Sequence, residues 1–280
     1  MAAVALGLSS SLAWGVADFL GGLQSRRRAL LAVLVVTQGA GLVCIAIALA
    51  VRRQAPPDGV GWAAWAVAAG LCGLAGLAAF YRGLATGAMG VVAPISSAAA
   101  VIPLAVGLAS GERPSAVQGA GVALAIGGVV LVSREEPVEG ATARVATGAG
   151  LAIAAAAGFG LFFVGIDRAS HEDALWPILA ARVASITVLS AAVAATRTDL
   201  PRAPRDLAIL VPIGVMDTSA NLLFALATRE GLVSLVAVLG SLYPVVTVVL
   251  ARVVLHEQLR VVQRAGAAAA LAGAALISAG

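Results

Sequence analysis

Leu207 to Thr228 reads LAILVPIGVMDTSANLLFALAT, an apolar run into which a carboxylate, Asp217, and a carboxamide, Asn221, have been set. Asp217 stands about ten residues from either end, which at about 1.5 Å per residue is about 15 Å from each edge of a helix just long enough to cross a bilayer. Insertion of Asp at such a depth costs about 2.5–3.5 kcal/mol, while each Leu, Ile or Val returns only about 0.3–0.6 kcal/mol. A side chain that costly faces protein or water rather than lipid tails. The run is therefore a membrane helix with a polar interior face, and the rest of the chain must supply what that face meets.

The whole chain fits that setting. Its 280 residues are 61% hydrophobic and only 11% charged, whereas soluble domains average about 45–50% apolar and about 25% charged. The net charge of +4 comes from arginine alone, since the chain has no lysine. Those arginines lie in twos and threes between apolar runs and form no continuous basic face, which excludes nucleic acid as a partner and leaves the lipid bilayer. Cys44 and Cys72 fall inside apolar runs without partner spacing, so neither a disulfide framework nor a metal set is indicated. His171 and His256 stand in separate loops, and no cofactor motif is present. The first apolar run is followed by Arg26, Arg27 and Arg28 without a cleavage pattern and reads as a retained span.

Ten such runs occur: Ala3–Leu23, Ala29–Val51, Gly61–Tyr81, Gly90–Ser110, Ser115–Ser133, Thr147–Ile166, Leu175–Thr196, Leu207–Thr228, Gly231–Ala251 and Val261–Ala279. They are twice the length of membrane strands and apolar all round, so they read as helices. Gly70, Gly73 and Gly76, and likewise Gly119, Gly127 and Gly128, read as faces along which neighbouring backbones approach. The longest polar interruption, 134–146, divides the spans five and five, giving one five-helix repeat over 1–133 and another over 147–280. At a spacing of 145, Trp14-Gly15 meets Phe159-Gly160, Glu112 meets Glu257 and Gly121 meets Gly266. Copies with an odd number of crossings insert in opposite directions, so the expected fold is an all-α integral membrane protein of ten transmembrane helices in two inverted repeats. Loops after odd-numbered spans carry more arginine, which places them in the cytoplasm and both termini outside.

With the spans in place, the chain resembles ten-helix members of the drug/metabolite transporter superfamily of the EamA type. The likeness is carried by Trp14-Gly15-Val16-Ala17-Asp18-Phe19, Phe80-Tyr81-Arg82-Gly83-Leu84-Ala85 and Val91-Val92-Ala93-Pro94-Ile95. It continues through Gly111-Glu112-Arg113-Pro114, Ser241-Leu242-Tyr243-Pro244-Val245 and His256-Glu257. The resemblance implies a substrate path between the halves and transport of amino acids, other small metabolites or drugs.

Several polar residues could line that path. Asp217, Asn221, Phe224 and Thr228 share one helix face; the acid could bind a cationic group or a proton, or simply bond a neighbouring Ser, Thr or Arg. Asp18 shares a face with Trp14 and Ser11 and either lines the same path or reaches the interface to pair with Arg26 or Arg27. Arg182, within the seventh span, pairs with an acid or binds a carboxylate substrate. Tyr243, beside Pro244, offers a hydroxyl. Ser96 and Ser97, and Thr37-Gln38, are weaker candidates. Glu112 and Glu257 read as turn and cap residues before their closing spans.

The function expected is secondary transport of a small organic solute across a bacterial cytoplasmic membrane by alternating access, with protons as a possible coupling partner. Two other classes remain at this stage, a lipid-modifying membrane enzyme and a non-transporting accessory subunit. The intramembrane polar residues include no His and no paired acid motif for catalysis.

Overall fold

Lipid offers backbone groups no hydrogen bonds, so the apolar runs satisfy their N–H and C=O groups internally as helices. The computed structural model describes residues 1–86, 92, 95–132, 142–255 and 261–280. Its helices are α1 (Ala2–Ser25), α2 (Leu30–Arg52), α3 (Gly61–Thr86), α4 (Val101–Ala109), α5 (Ala116–Val132), α6 (Thr142–Ala169), α7 (Leu175–Thr196), α8 (Pro204–Glu230), α9 (Val233–Gly240), α10 (Tyr243–Leu255) and α11 (Val261–Ala279). No strand occurs among the described residues. Seven helices, α1, α2, α3, α6, α7, α8 and α11, are long and apolar enough to cross a membrane. The remaining crossings are made of shorter apolar helices over 95–109, 116–131 and 233–247. Of the segments named above, Val91, Ala93, Pro94, His256, Glu257 and most of the inter-repeat loop lie outside the described residues.

The fourth and ninth spans, expected as single helices, each contain an irregular turn. A 3-10 turn at Ala98–Ala100 precedes α4, and the chain turns at Ser241-Leu242 between α9 and α10. The cause is the same in both: Pro103 and Pro244 lack an N–H, so the carbonyls of Ala99 and Gly240 lose their helical donors. Each turn is met by a glycine on a neighbouring helix. A side-chain carbon on Gly15 would lie 2.8 Å from the Tyr243 carbonyl oxygen, and one on Gly160 would lie 2.7 Å from that of Ala99. Only glycine admits so close an approach.

Helix packing repeats when the halves are exchanged. The first span packs on the eighth as the third packs on the sixth, the second on the eighth as the seventh on the third, and the first on the ninth as the fourth on the sixth. The second and seventh, fourth and ninth, and fifth and tenth spans pair with each other. Gly121 abuts Gly273 and Ile277 while Gly128 abuts Gly266 and Ala270, so α5 and α11 run antiparallel. Because those are the closing helices of the two halves, the halves are inverted. α2 and α7, another equivalent pair, both end on an arginine in the left-handed conformation, Arg53 at φ 48° and Arg197 at φ 51°.

The expected glycine faces divide. Gly70, Gly73 and Gly76 press against Ala181, Phe162 and Phe159 respectively, and Gly128 packs as described. Gly119 and Gly127 meet nothing within 4 Å; the face in contact carries residues 121 and 128, seven apart, and 119 and 127 fall on other sides of the helix. Glu112 also differs from expectation. Rather than serving its own helix, its carboxylate accepts the N–H of Val233 at 2.8 Å and of Ser234 at 3.1 Å, capping α9 in the other half. The first-turn N–H groups of α9 have no intrahelical acceptor, and the dipole there favours an anion.

Candidate functional site

Where α1, α2, α3, α6, α7, α8 and α10 converge, a cavity of about 60 Å³ remains, room for a few waters or a small solute. One wall is polar: Asp18 from α1, Gln38 from α2, Arg182 and Ser185 from α7, Asp217 and Asn221 from α8. The other is aromatic: Trp14, Phe159, Phe162, Phe163 and Tyr243. Gly70 and Gly73 form part of the floor.

The i, i+4 spacing of Asp217 and Asn221 directs both inward, and each has a partner. Arg182 donates from Nη2 to Asp217 Oδ2 at 2.6 Å and from Nη1 to Gln38 Oε1. The pair is largely removed from solvent, with 7% of the arginine and 14% of the aspartate side chain accessible. Both alternatives raised for these residues thus meet in one object, because Asp217 borders the cavity and bonds an arginine at once. Asn221 Oδ1 accepts from Trp14 Nε1 at 3.1 Å, holding the indole across the first and second halves.

Asp18 borders the cavity one turn after Trp14, next to Tyr81. It is 5% exposed. It therefore lines the path rather than the interface, where Arg28 instead pairs with Asp206 at 2.6 Å. Asp18 and Asp217 lie close enough to act on one another electrostatically.

Phe224 does not line the cavity, contrary to expectation. It is fully buried behind the aromatic wall, stacked on Phe163 at 4.6 Å between ring centres and 5.7 Å from Trp14. Residue 224 is a full turn nearer the end of α8, where α6 closes over it. Thr228 bonds back to the Ala225 carbonyl at 3.1 Å. Tyr243 presents its ring to the cavity while its hydroxyl meets Ser96 Oγ at 3.0 Å. Ser96 thus ties the fourth span to the ninth and is not itself a wall of the cavity. Thr37 is satisfied within its own helix by the carbonyls of Val33 and Leu34.

Four contributors were not singled out from the sequence. Tyr81 sat in a segment noted only for its resemblance, beside Arg82, which is exposed but lies four residues before the end of α3 rather than at it. Phe162 and Phe163 follow Phe159 at three and four residues, a helical stripe that could have been extended from the Phe159 match to Trp14. Ser185 lies three residues after Arg182, on the same face; its hydroxyl donates to the Gly70 carbonyl at 3.1 Å.

The chain matches the model of the EamA-like transporter family twice, over residues 1–134 and 146–279. A comparison with curated proteins returns no match. Among solved structures, a protein known from crystallography superposes with a TM-score of 0.71 at 18% identity, covering 98% of this chain and 95% of that one. At that identity the likeness concerns the fold. The family match spans nearly the whole chain in two copies, and on it rests the assignment: this multi-pass membrane protein belongs to the EamA-like transporter family.

Proposed function

We propose that the protein is a secondary transporter that carries a small organic solute across a bacterial cytoplasmic membrane by alternating access. The observation that carries this reading is the central cavity, bounded by helices of both halves and holding two carboxylates and a guanidinium. Charged groups at that depth face a water-filled or ligand-filled space in functional membrane proteins. Inverted halves, each with an irregular turn in its fourth helix, favour rocking of one half against the other around a fixed site. The irregular turns in the fourth and ninth spans flank the cavity through Tyr243 and Ser96.

Orientation follows from arginine. Arg26, Arg27, Arg28, Arg82, Arg197, Arg202 and Arg205 lie at the ends opposite to Arg52, Arg53, Arg113, Arg168 and Arg229. The richer side is cytoplasmic and the termini extracytoplasmic. A proton gradient is a suitable energy source, since one charge moved through 100 mV is worth about 2.3 kcal/mol.

The test is solute counterflow with the purified full chain in proteoliposomes, across amines, amino acids and nucleosides, with and without a pH gradient. Protein-dependent exchange of at least one solute is expected. Liposomes with protein that exchange no more than empty ones, for every solute, would remove the proposal.

A further inference from the structure

The acids around the cavity outnumber its guanidinium. Asp18 and Asp217 face one guanidinium, Arg182, and that guanidinium is already committed on both arms, to Asp217 and to Gln38. Tyr81, a neutral neighbour, stands beside Asp18, and among the described residues no arginine forms a salt bridge with Asp18. An acid so buried is neutralised by a proton or by a cation, and an entering cation can take the place of the proton.

Beside it stands the aromatic corner. Trp14 is one helical turn from Asp18 on α1, with Phe163 at 5.5 Å and Phe162 at 6.5 Å from its ring. A ring face next to a carboxylate suits an ammonium group, which the carboxylate neutralises and the ring quadrupole attracts. The same corner accepts an apolar body. By contrast, the Arg182 guanidinium already faces Asp217 and Gln38, so a ligand carboxylate would have to share it with Asp217.

Resting on the transport reading above, we propose that the transported solute is a small monoamine with an apolar or aromatic body and no carboxylate. Its ammonium sits on Asp18 against Trp14, and its body lies along Phe159, Phe162 and Phe163. Asp18 is the selectivity residue. The Asp217–Arg182–Gln38 triad is internally neutralised and shapes the wall.

The test compares matched probes on the purified full chain by melting shift and by equilibrium binding. The sets are phenethylamine, phenylalanine and 2-phenylethanol, and isoamylamine, leucine and 3-methylbutanol. In each set the amine is expected to bind at least tenfold more tightly than both the amino acid and the alcohol. Asp18→Asn is expected to erase the preference of amine over alcohol while retaining the far-UV helix signal and cooperative melting of the parent. Asp18→Glu keeps the charge and is expected to retain the preference, which separates a charge requirement from a packing requirement. Alcohols equal to amines, or amino acids tighter than amines, would overturn the amine assignment and leave transport standing, provided those solutes still show counterflow. An Asp18→Asn protein that keeps the preference overturns the role of Asp18. Absence of binding and of counterflow for every probe overturns both readings.

Discussion

Arg182 and Asp217, on neighbouring helices α7 and α8, meet at 2.6 Å in the middle of the bundle. The costliest residue of the eighth span is thus matched by the costliest residue of the seventh, and each makes the other tolerable in the membrane.

Breaking that pair from one side should therefore be worse than removing it. Arg182→Gln and Asp217→Asn each leave a buried charge uncompensated, at an expected cost of about 3–5 kcal/mol, while the double variant should recover much of the loss. Thermal unfolding of the four proteins in one detergent measures the coupling. Equal and additive losses would show that the two residues act independently.

The contact between α5 and α11 tolerates no side chain at Gly128, whose neighbours are the Gly266 carbonyl and the Ala270 backbone. Gly128→Val should lower stability by about 1–3 kcal/mol, as overpacking does elsewhere. Gly127→Val, one residue away with nothing within 4 Å, should stay within about 0.5 kcal/mol of the parent. The same melting assay reads both.

Glu112 holds the start of α9 from the other half of the chain. Glu112→Ala should cost about 0.5–2 kcal/mol, the range for a lost helix cap. Hydrogen exchange should localise the effect, with faster exchange at the amides of Val233 and Ser234 and little change in α7. Unaltered protection at those two amides would mean that the cap contributes nothing.

Of the four tryptophans, Trp14 alone borders the cavity. A solute entering there should change tryptophan emission, and Trp14→Phe should abolish that change while Trp65→Phe leaves it intact. Titration fluorescence decides the point.

Hydropathy was enough to read the spans, because a bilayer demands long apolar helices and punishes charge within them. It could not show the irregular turns in the fourth and ninth spans. Proline is tolerated in membrane helices, so Pro103 and Pro244 mark a lost donor without saying whether the helix bends or parts. The inward face of α8 was legible from the four-residue step between Asp217 and Asn221. That periodicity runs on to Phe224, and only the position of α6 reveals that the cavity has ended by then. The union of Arg182 with Asp217 was legible as one of two choices, since a single helix carries no record of the side chain that meets it from another.

The two halves share a scaffold but not its charges: Asp18 belongs to the first alone, Arg182 and Asp217 to the second. Two first halves assembled head to tail would set a pair of like acids across the axis with no guanidinium between them, and two second halves would duplicate the ion pair and lose the open acid. Fusion into one polypeptide is what permits a lopsided grip, so a guest would be held in a single pose whichever side of the membrane it entered from.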